Sequence, residues 1–247
     1  MVTDRPVRAI EQFSGSRPAS VNPLDLKIRA GELKVILPYR RPFVLGNDLA
    51  GTIVAAGSRV TRFAVGDEIY ARPDQRRIGA FAELIAMNEG DVAARPATLT
   101  AEEAASLPLV GLTAWQALVE RANLRPGQKV LIHAGAGGLG TIAIVSVAGP
   151  PDPAFAQELG ANPVVRLAMA ALSFRVRRRA RRHHVRYSFL FMKADGDQLS
   201  RLGALVDAGT IRPVVDRIFD FESTRAALAY VEDGRAKAGK VVVRMVA

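Results

Sequence analysis

A short, mainly apolar run, Lys129-Val130-Leu131-Ile132-His133-Ala134, leads directly into Gly135-Ala136-Gly137-Gly138-Leu139-Gly140. No other stretch constrains the fold as tightly. A fully buried parallel strand reads as a near-continuous apolar run. The spacing Gly-x-Gly-x-x-Gly immediately after it lets the backbone turn sharply and approach a pyrophosphate closely. The helix-like Thr141-Ile142-Ala143-Ile144 that follows would offer free N–H groups and partial positive charge to phosphates. The same glycines could serve a purely structural turn, and it is the preceding strand that weighs against that reading.

Texture changes near residue 110. Before it, short β-type runs alternate with turns at 44–57, 59–71 and 79–87, the pattern of a small barrel or sandwich. From Thr100, a plausible N-cap with Glu102 and Glu103 in the first turn, the periodicity becomes helical, and Pro108 and Gly111 divide it into two helices. Arg125-Pro126-Gly127 is a turn. Towards the end, residues 195–209 form a capped amphipathic helix and 210–219 supply a strand. A helix over 221–233 stops at Gly234, and Lys-Val-Val-Val-Arg-Met-Val forms a final strand.

Composition excludes several classes. The 247 residues contain no cysteine, which rules out disulfides and thiolate metal sites and fits a reducing compartment, the cytoplasm by default. Apolar stretches are interrupted well before the ~20 residues of a membrane span, and the N-terminus lacks a signal-peptide core. The net charge of +10 is local: seven arginines lie between Arg175 and Arg186, and without them the balance falls to about +3. On a helix, Arg175, Arg178, Arg179 and Arg182 share one face, with Ala171, Phe174 and Ala180 elsewhere. A solvated cationic helix is the plain reading, and a phosphate-rich partner the sharper one. Nucleic acid is disfavoured, because no aromatic residues are interleaved for base stacking.

Six segments taken together resemble the medium-chain dehydrogenase/reductase superfamily. They are SVNPLDLKIRAG (20–31), VLGNDLAGTIVAAGSRVTRFAVGDEIYA (44–71), GAFAELIAM (79–87), LPLVGLTAWQAL (107–118), RPGQKVLIHAGAGGLG (125–140) and GRAKAGKVVV (234–243), in the family's order. The resemblance implies an α/β chain: a GroES-like β-barrel domain over 1–107, a truncated Rossmann domain with a doubly wound parallel sheet over 108–212, and a segment over 213–247 returning to the barrel. Its zinc-free quinone-oxidoreductase branch implies NADPH as cofactor, a quinone, enone or related carbonyl compound as substrate, and association into a homodimer. In the zinc-dependent relatives, a histidine stands where Gly46-Asn47-Asp48 lies here. With Asn47 in its place, no cysteine, and only His133, His183 and His184 in the chain, a catalytic zinc has no ligand set.

Without a Lewis acid, the work left is holding the nicotinamide against the electrophilic carbon. By similarity, Asn47 and Asn22 are the catalytic candidates, lining the pocket near the nicotinamide. Thr113 would contact the cofactor, Ala134, Gly135, Ala136, Gly137, Gly138, Leu139 and Gly140 would cradle its pyrophosphate, and Gly239 and Lys240 would close over it. Each has an ordinary alternative: Asn22 precedes Pro23 as a turn residue would, Asn47-Asp48 could simply open a strand, and Thr113 could face a core. Tyr39 and Tyr70 are conceivable proton donors, although a strand tyrosine is more often packed.

The departures from the family are also informative. A late-Rossmann segment, VSVAGPPDP, begins only a few residues after Gly140, whereas a βαβ unit needs about 30. The strand that would read the adenosine ribose or its 2′-phosphate is missing, and Glu158 falls at the expected distance by number only. An internal deletion is therefore expected, and the preference for NADP rests on the branch alone. Two other readings stay open: a catalytically inactive relative that binds through the barrel, and a basic nucleic-acid or anion binder.

Overall fold

The computed structural model describes residues 9–10, 12–13, 17–34, 36–125, 144–146, 149–182, 187–237 and 239–245. The glycine run from Ala134 to Gly140 and all three histidines lie outside the described residues. The chain is α/β and divides into two compact units, Met1–Leu112 with Lys193–Ala247, and Thr113–Met192. The sequence reading put these boundaries at 107/108 and 212/213.

The first unit is built on strands β1 (Ala9–Ile10), β2 (Gln12–Phe13), β3 (Arg17–Val21), β4 (Leu49–Ala55), β5 (Glu68–Ala71), β6 (Met87–Asn88) and β7 (Val92–Ala94). β1 and β6 form a separate antiparallel pair. Two more strands follow beyond the second unit, and the main sheet runs β10(Val215–Asp220)–β11(Lys240–Met245)–β3–β4–β5–β7, with β2 also on β4. Only β10 and β11 run parallel within it.

β11 explains how a late segment comes to stand at the middle of this sheet. Its run Val241-Val242-Val243 is buried on both faces, as a strand flanked by β10 and β3 must be. Val241 pairs with Val21 and Val243 with Ala19. Around them lie Leu49, Ile53, Ile69, Met87, Val92, Leu228 and Met245 in one core. Each such aliphatic side chain contributes about 1.5–3 kcal/mol by leaving water.

Helices close the unit. Helix α1 (Pro23–Ala30) follows Asn22, with Pro23 at its first position, where a missing N–H costs nothing. Thr100 caps α2 (Ala101–Ala105): its hydroxyl accepts from Glu103 N at 3.2 Å while the Glu103 carboxylate accepts from Thr100 N at 2.9 Å. Pro108 then starts α3 (Pro108–Trp115), which a π turn extends through Arg121. After the second unit, Asp195 caps α6 (Gly196–Asp207), and α7 (Thr224–Glu232) sets Ala227 and Leu228 into the core.

The segment 79–86, read as part of a β run, is irregular: the Ala80 and Phe81 amides donate to the Gly46 and Leu45 carbonyls, so its partner is a turn and not a strand.

In the second unit, β8 (Ile144–Ser146) pairs in parallel with β9 (Tyr187–Phe189). Between them come α4 (Pro153–Glu158) and the long α5 (Pro163–Arg182). Asp152 ties this unit together. One carboxylate oxygen accepts from Phe155 N at 2.9 Å, capping α4, and the other from Phe189 N at 3.2 Å. The Phe155 ring meets Phe189 edge-on at 4.8 Å.

Candidate active site

Gly46 begins the turn that presents Asn47 and Asp48. Its φ of +108° is a conformation that favours glycine, and a Cβ there would fall 2.6 Å from Phe81 N. The turn sets Asn47 and Asp48 fully inside the first unit, beside Ser20, Asn22 and Asp25, all completely buried. Five polar side chains buried together must satisfy one another.

Asp48 is the hub. One of its oxygens accepts from Ser20 Oγ at 2.7 Å and Asn22 Nδ2 at 2.9 Å, and the other from Leu109 N at 2.7 Å at the start of α3. Lys240 Nζ lies 3.6 Å from the same carboxylate and donates to Asn22 Oδ1. Asp25, on the first turn of α1, accepts from Asn47 Nδ2 at 2.7 Å, Gly46 N at 3.2 Å and Asn22 N at 2.8 Å. Arg72 leaves the end of β5 and donates through Nη2 to Asn47 Oδ1 at 3.3 Å. Two carboxylates thus face one ammonium and one guanidinium.

Burial dominates the electrostatics of this cluster. It pushes Asp25 up from 3.8 to about 6; hydrogen bonds from Asn47 and the Asn22 amide oppose the rise, and the Asp48 charge adds to it. It also pulls Lys240 down, against the Asp48 and Asp25 charges. The Arg72 guanidinium is drawn down by burial too, yet an arginine stays protonated. Its Nε is a buried donor without a partner, as are the acceptors Gln75 Oε1 and Asp91 Oδ2. Asp91, first through burial and then through the Asp74 charge, is also pushed up to about 6.

The sequence candidates distribute as follows. Asn22, Asn47 and Lys240 come together in one hydrogen-bonded cluster. Neither asparagine exposes surface to solvent, and all three polar groups of the Asn22 side chain are engaged. Gly239 stands beside Lys240, where a Cβ would sit 2.4 Å from Val214 O, so the approach of the segment before β10 accounts for the glycine. Thr113 is buried on α3, at the first position of the second unit. The Tyr39 hydroxyl donates to Gln75 O and is pushed up to about 12 by burial; Tyr70, fully buried, donates to Leu199 O and is also pushed up by burial. Both phenols hold their protons at neutral pH.

Sequence reasoning missed Ser20, Asp25, Asp48 and Arg72. A signal existed for two of them: Asp48 adjoins Asn47, and Arg72 is a lone charge closing the apolar Ile69-Tyr70-Ala71.

Comparison with known proteins sets this geometry in context. Residues 16–97 match the family model of the alcohol dehydrogenase GroES-like domain, and residues 114–243 that of the zinc-binding dehydrogenases. The NAD(P)H oxidoreductase RTN4IP1, mitochondrial, of Mus musculus is 28% identical over 317 residues, covering 92% of this chain and 80% of the relative. The 2-methylene-furan-3-one reductase of Solanum lycopersicum is 30% identical over 271 residues, covering 91% and 69%. The solved quinone oxidoreductase of Coxiella burnetii superposes with a TM-score of 0.71 at 26% identity, covering 96% of this chain and 90% of that one.

The zinc that one family description implies finds a poor donor set here. At the turn, Asn47 offers an amide already bonded on both sides, the two carboxylates are held by N–H and O–H donors, and the neighbours Arg72 and Lys240 are cations. Among the described residues no three histidine, cysteine or acidic side chains gather as a metal site. The two family matches, which run in order along the chain, together with these relatives and the fold, lead to one conclusion: the chain belongs to the medium-chain dehydrogenase/reductase superfamily of oxidoreductases, on its quinone-oxidoreductase-like branch.

Proposed function

We propose that this chain transfers a hydride from NADPH to a quinone, an enone or a related carbonyl compound without zinc. Bound NADPH would supply the hydride for the electrophilic carbon, and water would supply the proton that neutralises the oxygen. The observation that carries the reading is the donor set at Asn47, where an amide locked between Asp25 and Arg72 occupies the turn that bears a metal ligand in zinc-dependent relatives.

In this reading Asn22, Asn47 and Lys240 are positioning residues. They hold the 46–48 turn against the start of β11, so that Gly239 and Lys240 stay in place beside the bound cofactor. Residues 134–140 hold the pyrophosphate through their amides, and Thr113 contacts the cofactor. A reducing compartment, the cytoplasm, fits the absence of cysteine; the mouse relative's name places that protein in mitochondria.

A second reading, an inactive relative that binds through its barrel, is favoured by one observation. A 317-residue alignment drawn from a 247-residue chain necessarily carries gaps on this chain's side, as a chain that has lost internal segments would give.

Titration of NADPH, followed by the emission of the lone Trp115, separates the two. Submillimolar binding that Gly137→Asp abolishes, followed by quinone-dependent loss of the reduced nicotinamide signal, supports the reductase. Binding weaker than millimolar supports the inactive relative. Activity removed by a chelator and restored by zinc would refute the zinc-free mechanism.

A further inference from the structure

Helix α5 presents an outward face that its own unit leaves uncovered. Met169, Ser173 and Ala180 mark the inward side, which is buried. Away from it, Val164, Leu167 and Phe174 are 76%, 73% and 54% exposed, and Leu172, on the flank beside Arg179, is 67% exposed. The same outward side turns cationic in its last two turns. There Arg175 and Arg179 form one row and Arg178 and Arg182 another, and together with Phe174 they line an open furrow of about 470 Å³. The sequence reading placed Phe174 away from these arginines; in the structure it lies at their end of the furrow. None of the four arginines makes an ion pair or hydrogen bond among the described residues.

We propose that this face of α5 docks on an anionic phospholipid surface, lying in the headgroup region without crossing the bilayer. Three observations favour that occupant. The helix is about 30 Å long, from its 20 residues and the standard rise, and no helix among the described residues is long and apolar enough to span a membrane. Unpaired guanidiniums match lipid phosphates in charge and in hydrogen-bond geometry. The aliphatic side chains beside them need an apolar layer within reach of those phosphates, which the boundary between headgroups and acyl chains supplies. A nucleic-acid backbone would satisfy the arginines and leave Val164, Leu167 and Leu172 wet. A second copy of this face would bring like charges together.

The test uses the full chain, sedimented with vesicles of phosphatidylcholine alone or mixed with phosphatidylglycerol. Wild type is expected to pellet with the mixed vesicles and stay in solution with the neutral ones. Removing charge weakens such binding about fivefold per arginine, so Arg178→Gln with Arg182→Gln should lower the partition coefficient about 25-fold. Leu167→Ser with Leu172→Ser should lower it several-fold at unchanged charge. All four positions are exposed, so the circular dichroism spectra should match wild type and separate lost docking from lost folding. Failure of wild type to bind anionic vesicles overturns the proposal, as does retention of binding by either double variant. Tighter binding of short duplex DNA or inorganic polyphosphate than of vesicles at equal phosphate, unaffected by the leucine substitutions, would assign the furrow to a soluble polyanion instead.

Discussion

Raising the pH from 4 to 7 should weaken the barrel unit, and Asp25→Asn should remove a defined share of that loss. Asp25 titrates at about 6 in the folded chain against an ordinary value of 3.8. Between those values the native state holds a proton that the unfolded chain has released, so the stability from this group is fully present below about pH 4 and is lost as the pH rises through 6. A displacement of about two units corresponds to about 3 kcal/mol. The asparagine variant cannot ionise, but its NH₂ must face a donor, Asn22 N, Gly46 N or Asn47 Nδ2, at a constant cost of about 1–3 kcal/mol. That constant cancels when the difference between wild type and variant is followed with pH. The variant should therefore gain about 3 kcal/mol relative to wild type between pH 4 and pH 7. Urea titrations read by hydrogen exchange of the β4 and β5 amides report the barrel, while emission from Trp115, which belongs to the other unit, serves as an internal control. A difference that does not change with pH, or one of opposite sign, would mean that the three N–H donors outweigh burial and that the carboxylate is ionised throughout.

Three further outcomes are expected. Lys240→Met leaves Asp48 and Asn22 Oδ1 without their cation inside the barrel and should cost about 3–5 kcal/mol in chemical denaturation. Gly239→Ala forces a Cβ to 2.4 Å from Val214 O, so β10 and β11 must separate locally; a fall in melting temperature of several degrees, with slower-exchanging amides lost first in these two strands, is the signature. Tyr70→Phe removes the hydroxyl that holds Leu199 O and should cost about 1 kcal/mol while leaving NADPH oxidation unchanged, since that phenol is committed to a carbonyl and not to a substrate.

Local features were legible in the sequence, and the junctions between distant segments were not. The Thr100 cap, the break at Pro108 and the amphipathic helix over 196–207 depend on residues within a few positions of one another, where spacing carries the information. The 79–86 segment misled because alternation records which side chains are buried and not what the amides bond to; its amides bond to a turn. Asn22, Asn47 and Lys240 were nameable only through resemblance. The charges that hold them, Asp25, Asp48 and Arg72, carry no periodic signal, because the bonds that join them to Gly46, Leu109 and Asn47 span 21, 61 and 25 positions.

The bond from Lys240 to Asn22 spans 218 positions and the ion pair of Arg29 with Glu232 spans 203. Translation therefore delivers the first half of the barrel long before the strand that fills its centre. Until Met245 leaves the ribosome, β3 must wait with one edge open and Asp48 lacks its ammonium partner, so the barrel cannot close before the last strand is made. A ribosome stalled before residue 240 would release a product that cannot close its barrel, and solubility of such a fragment without chaperones would contradict this order of assembly.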